Sequence, residues 1–178
     1  MIRRTAQSLR RFRAREDGNA TVEFAIVIPA FIMILMSTVE LGLINLRHSQ
    51  LERALDQTVR DIRLNTGANK SHAQVRDEIC DLSGFIENCA TSLRLEMVQV
   101  DPFNWSPVDP DPDCVNSIED PKPVRTFEHG KSNELMLVRA CMKFNPVFPT
   151  WGLGESLYKD GDGRISLIAT SAFVQEPR

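Results

Sequence analysis

The 178-residue chain is 42% hydrophobic and has a formal net charge of −3, a length that suggests one modest globular domain rather than two. The near-neutral total hides an asymmetry: residues 1–17 hold six Arg against Glu16 and Asp17, whereas residues 47–178 hold 15 Lys/Arg against 20 Asp/Glu. A basic head and an acidic body on either side of an apolar stretch are the pattern of an oriented membrane protein; the basic cluster is confined to that head, so nucleic-acid binding has no support.

Residues 1–18 read as a short basic leader. The run Phe24–Val39 then gives 16 residues without a charge. With Ala20–Glu23 and the Leu41–Leu46 continuation it reaches the ~20 residues that a bilayer requires. A transmembrane helix over 19–46 is therefore expected, with the leader in the cytoplasm and everything after about Leu46 outside it. Pro29 is tolerable, because a helix in lipid re-satisfies its backbone locally. The rival readings are a buried core helix and a cleavable secretory signal. The Arg-rich flank and the uniformly apolar circumference oppose the first. Against the second stand the length of the run and its end in Val39-Glu40-Leu41, which lacks a small-x-small cleavage site.

Glu23 sits at the leading edge of this run, where a charge is costly unless it is partnered. One reading has it snorkel to the headgroups and pair with Arg13 or Arg15. The other comes from spacing: Gly18-Asn-Ala-Thr-Val-Glu23-Phe24 fits G-x-x-x-x-E-[FY]. With the Arg-rich leader before it and the apolar helix after it, this stretch resembles the cleavage region of type IV prepilins, and most of all the TadE-like pseudopilins of the tight-adherence (Tad/Flp) pilus system. The resemblance covers roughly residues 10–65 by motif and the rest by general layout. It implies a bacterial inner-membrane protein cut by a prepilin peptidase between Gly18 and Asn19, with Glu23 as the fifth mature residue. In the assembled filament that glutamate would neutralise the N-terminal amine of a neighbouring subunit. The implied partners are the peptidase, other pilin or pseudopilin subunits, the inner-membrane Tad platform and the lipid bilayer. Phe24 stands where the small major pilins carry Tyr, and the chain is much longer than they are; both points favour a minor subunit. The absence of a D-x-S-x-S metal motif argues against the larger TadG-type relative.

Beyond Leu46 the helix continues without a breaker to about Leu64, and Asn65-Thr-Gly67 supplies a stop. Leu51, Ala54/Leu55, Thr58/Val59 and Ile62 form one apolar stripe, with Glu52, Asp56 and Arg60 opposite. Residues 47–66 are thus an amphipathic extension whose stripe packs on the chain's own sheet; a coiled-coil seam would need more than its under-three heptads. His48 falls on the polar side, where a solvated role is expected.

Residues 67–178 make the extracytoplasmic domain. Residues 71–83 read as a helix with Ser71 as N-cap and Gly84 as stop. Residues 92–101, 134–144 and 164–175 read as strands. The expectation is an α+β fold: the long helix laid on a small three-stranded antiparallel sheet, pilin-like. A Pro/Asp-rich loop from Asp101 to about Gly130 separates the first two strands, and such long loops are usually functional or mobile. In the second loop, Pro146–Gly154, Trp151 either caps the core or belongs to an exposed aromatic surface.

Cys80, Cys89, Cys114 and Cys141 all fall on the outer side, where an even count favours two disulfides. Three pairings are possible and the sequence does not choose among them. The one preferred joins Cys80 to Cys89 across a short loop and Cys114 to Cys141, tying the long loop to the second strand. No metal or cofactor is expected. There is no C-x-x-C pair, and His72 and His129 lie at no ligand spacing. Asp109-Pro-Asp111-Pro-Asp113 and Asp160-Gly-Asp162-Gly163 glance at calcium loops but read better as turns. Nor does any G-x-S-x-G, Walker or H-E-x-x-H motif point to an enzyme. The alternative to a pilus subunit is an uncleaved single-pass protein whose outer domain binds a ligand or partner through the Pro/Asp-rich loop.

Overall fold

The structure, a computed structural model, describes residues 19–65, 67–84, 86, 88–104, 108, 112, 114 and 127–177. In chain order the elements are α1 (Asn19–Leu64), α2 (His72–Ser83), α3 (Cys89–Ser92), β1 (Leu93–Val100), β2 (Leu135–Phe144), α4 (Gly152–Ser156) and β3 (Ile165–Val174). The short helices α3 and α4 carry no apolar periodicity, and the sequence does not announce them. The three strands form one antiparallel meander in the order β1-β2-β3, so the fold is α+β, with the long helix packed on the sheet as expected.

At 46 residues, α1 is about 69 Å long, with Pro29 inside it and no break. α2 starts and stops where its end residues dictate. Ser71 Oγ accepts the Gln74 N–H at 3.4 Å and Gln74 Oε1 accepts the Ser71 N–H at 2.8 Å, a reciprocal capping box. Gly84, in the left-handed region, then closes the helix by donating to the Cys80 carbonyl. Lys70, just ahead of α2, joins Asp61 of α1 to Glu78 of α2. The hydrogen bonds it donates to Asp61 and then to Glu78 hold its ammonium above the usual lysine range.

The pleat sorts the strands into two faces. Leu93, Leu95 and Met97, then Met136, Val138, Ala140 and Met142, then Leu167, Ala169 and Phe173 are buried against the helices. Leu51, Ala54, Leu55 and Val59 of α1, with Val75 and Ile79 of α2, fill the other side of this core. The stripe is covered by the chain's own sheet and α2, while Glu52, Asp56 and Arg60 remain exposed. On the sheet's opposite face the register pair Glu96 and Arg139 forms an ion pair, with Arg139 Nη2 at 2.6 Å from Glu96 Oε2. Both are buried, so each is tolerated there because the other neutralises it.

Three long-range contacts fix how α1 and β3 lie together. His48 Nε2 is 3.0 Å from the Ile168 carbonyl oxygen, Ser171 Oγ donates to Asp56 at 3.1 Å, and Gln175 Nε2 donates to the Ile62 carbonyl at 3.0 Å. Along the helix, residues 48 to 62 rise about 21 Å; along the strand, 168 to 175 rise about 23 Å. The match requires the two elements to run side by side in the same direction. The starts of β1 and β3 and the end of β2 therefore share the end of the sheet nearest the apolar half of α1.

Candidate membrane and assembly site

The apolar half of α1 carries no protein on most of its circumference. Val22, Phe24, Ile26, Val27, Phe31 and Ile34 are all more than half exposed. None of the most apolar stretch of this helix is buried in the protein. It is long and apolar enough to cross a membrane, which makes it a candidate span. Two of its polar side chains are satisfied from within: Thr38 Oγ1 donates to the Ile34 carbonyl and Asn45 Nδ2 to the Leu41 carbonyl, each one turn back. A helix in lipid needs such internal partners.

Asn19 is the first residue of α1, and Glu23 follows on the next turn, exposed between Val22 and Phe24. Glu23 makes no hydrogen bond or ion pair among the described residues. Gly18, Arg13 and Arg15, on which the cleavage and snorkelling readings depend, lie outside the described residues.

Glu40 is the residue that sequence reasoning passed over. It reads as the polar end of an apolar run, yet it is 0% exposed. Its Oε1 accepts the Val147 N–H at 3.1 Å and its Oε2 accepts the Phe148 N–H at 2.8 Å. One turn earlier, Ser37 Oγ accepts the Leu153 N–H at 3.2 Å. The segment between β2 and β3 is thereby drawn down along α1 toward its apolar half. One glycine permits so close an approach to α1, and another the tight fold of the segment on itself. A Cβ on Gly152, whose φ is +56°, would sit 2.5 Å from Ser37 Oγ, and one on Gly154 would sit 2.3 Å from the Phe148 carbonyl oxygen. The same segment leaves Trp151 56% and Tyr158 91% exposed, which decides the Trp151 alternatives for the exposed surface.

Cys80 is bonded to Cys89, with Cα atoms 5.8 Å apart, and Cys114 to Cys141, with Cα atoms 5.3 Å apart. The first bond ties α2 to α3; the second fastens Cys114 to the sheet face that carries Glu96 and Arg139. His48 is less solvated than its place on the helix implied. The Ile168 carbonyl can only accept, so Nε2 carries the proton in that contact. His72 and His129 both stand edge-on to Phe127, with ring centroids 5.4 and 5.6 Å apart. Burial, with Arg76 and Arg94 nearby, pushes the His72 imidazole below its ordinary range.

The Asp160–Gly163 segment is a turn. Asp160 Oδ1 accepts the backbone N–H of Asp162 and Arg164, and Oδ2 lies 2.8 Å from Lys143 Nζ. Burial alone would raise this carboxyl; the Lys143 ammonium and the two backbone donors outweigh it and hold it below the usual carboxylate range. With its oxygens turned to these donors, the turn is closed by its own chain. Asp109, Asp111 and Asp113 lie outside the described residues. Among the described residues no group of three His, Cys, Asp or Glu side chains is placed to hold a metal ion.

No curated protein and no solved structure matches the chain. Residues 18–60, from the expected cleavage glycine through Glu23 and Glu40 into the amphipathic stripe, match the family model described as TadE-like protein. Over that stretch the chain is similar to TadE-like proteins, consistent with a membrane-anchored TadE-like protein of the Tad pilus system.

Proposed function

We propose that this protein is a minor, structural subunit of a Tad-type pilus machine, made with a cytoplasmic leader that a prepilin peptidase removes between Gly18 and Asn19. The observation that carries the reading is Glu23. It stands five residues after Gly18, exposed at the start of an apolar helix, with no cation of its own among the described residues. A carboxylate in lipid is stabilised by a cation, and the amine freed by cleavage on a neighbouring subunit supplies one. Such a subunit contacts other pilin-like subunits through the apolar half of α1 and takes part in pilus assembly and adhesion as a structural element, not as a catalyst.

In this reading the leader faces the cytoplasm and residues beyond the span face the periplasm or the cell exterior, an orientation that six Arg in the first 17 residues support. The span itself is about Ala20 to Val39, some 30 Å of helix and the thickness of a hydrocarbon core. The burial of Glu40 by the chain's own loop supports an outer edge at that point. Trp151 and Tyr158 then lie where amphipathic rings are favoured, at the headgroup boundary.

N-terminal sequencing of the membrane-extracted protein tests the proposal. The expected first residue is Asn19, and a retained Met1 would instead favour an uncleaved bitopic protein. Gly18→Ala should block processing, whereas Glu23→Ala should leave cleavage intact and remove the subunit from assembled pili.

A further inference from the structure

The membrane-proximal end of the outer domain holds a cavity of about 370 Å³ between α1 and the strand ends. Three cations line it: Arg47 from α1, Lys143 from β2 and Arg164 ahead of β3, with Asn88, Ser92 and Asn145 beside them. Two of the cations are already matched, since Lys143 lies 2.8 Å from Asp160 and Arg164 lies 3.0 Å from Asp162. Arg47 is not. Its guanidinium lies over the Phe144 ring, 4.7 Å from the centroid, and its Nη1 is buried with no hydrogen-bond partner among the described residues.

A guanidinium nitrogen withdrawn from water and facing no acceptor leaves a strong donor unused. The ring beneath it holds the planar fork in one orientation, the geometry that suits two oxygens of a phosphate. Position narrows the source. Arg47 is the first cation after the apolar run and stands seven residues, about 10 Å, beyond Glu40. A long side chain at that height reaches the polar headgroup layer that borders the hydrocarbon core. The cavity opens at the end of the sheet facing that layer.

We propose that this cavity binds a phosphate-class anion, and that its source is the phosphodiester headgroup of an anionic phospholipid in the leaflet beneath the outer domain. The proposal rests on the membrane-anchored reading above. Free inorganic phosphate offers the same oxygens without acyl chains, so the experiment separates the two.

The full chain in zwitterionic detergent micelles is heated with added dioleoylphosphatidylglycerol, dioleoylphosphatidylcholine or inorganic phosphate. Phosphatidylglycerol is expected to raise the unfolding midpoint by about 4 °C at saturation, and phosphatidylcholine to raise it little. Arg47→Gln should abolish the shift, Arg47→Lys should keep part of it, and Arg53→Gln, an exposed cation farther along α1, should keep all of it. Far-UV circular dichroism verifies that each variant is folded; if Arg47→Gln is not, the contrast between the two lipids on the unmodified chain still decides. No shift with either phosphatidylglycerol or inorganic phosphate overturns the site, as does a full shift that survives in folded Arg47→Gln. A shift with inorganic phosphate but none with phosphatidylglycerol overturns the lipid source. Extraction of the protein from membranes without detergent would sink the anchored reading instead, so the two failures are distinguishable.

Discussion

The carboxylate of Glu40 receives the backbone N–H of Phe148 at 2.8 Å, joining residues 108 positions apart in the chain. The neighbouring Val147 N–H fills the other oxygen, so one buried side chain holds the descending limb of the β2–β3 connection. Replacing it with alanine orphans two amides and leaves a hole. Glu40→Ala is expected to cost about 2–4 kcal/mol, and Glu40→Gln less, because its amide oxygen still accepts one bond. Amide hydrogen exchange at Val147 and Phe148 reads this directly. Unchanged protection in Glu40→Ala would show that the segment is held by something else.

Two glycines, one in this limb and one on the open side of α1, give a test of opposite signs. Gly154→Ala places a methyl 2.3 Å from the Phe148 carbonyl oxygen, a backbone atom that cannot swing aside, and should destabilise by about 1–3 kcal/mol. Gly42→Ala, on the open side of α1 with nothing within 4 Å, should instead gain up to about 1 kcal/mol from helix propensity. Thermal midpoints of the two variants in the same detergent settle the contrast. Equal effects would mean that the limb does not fold tightly on itself between Phe148 and Gly154.

The two disulfides close loops of unequal length, with separations of 9 and 27 residues. Loop-closure entropy assigns them about 2.5 and about 3.5 kcal/mol. Replacing both Cys114 and Cys141 by alanine should therefore lower stability more than the same change at Cys80 and Cys89, as measured by urea unfolding under oxidising conditions. The reverse order would show that the tie between α2 and α3 constrains the chain beyond its loop length.

A pH dependence follows from His72. Its folded-state affinity for a proton is depressed first by burial and then by Arg76 and Arg94, and Nε2 is buried without a hydrogen-bond partner. The unfolded chain thus binds the proton more readily. Stability from this group is complete above the ordinary histidine pKa of about 6.5 and is lost as pH falls through the depressed value. His72→Gln should remove that part of the acid sensitivity, so that unfolding midpoints at pH 7.5 and 5.5 lie closer together than in the unmodified chain. An unchanged difference would assign the sensitivity elsewhere.

What was legible in the sequence is whatever repeats locally. The apolar circumference of residues 24–39, the stripe from Leu51 to Ile62, the cap residues Ser71 and Gly84, the alternation of the first strand and the apolar runs of the other two each carry a local signal, and the fold follows from them. Glu40 was illegible because its meaning depends on amides 107 and 108 residues away, presented by a loop without periodicity. The unexpected partner of His48 has the same cause: the helical wheel places it on the polar side, but the Ile168 carbonyl arrives from 120 residues later. The cavity around Arg47 was hidden too, since it exists only where α1 meets the shared end of three strands.

The side-by-side course of α1 and β3 has a mechanical meaning. A load applied at the lipid end of the helix runs parallel to the contacts at His48, Asp56 and the Ile62 carbonyl, not across them. They must give way together in shear, and cannot be peeled apart in turn. Beyond them the strand is knitted into β2 through ten register pairs. If the chain is built into a fibre as proposed, tension would pass from the apolar half of α1 into the sheet over some 20 Å of joint, and the folded domain would behave as a rivet set lengthwise on its own shank.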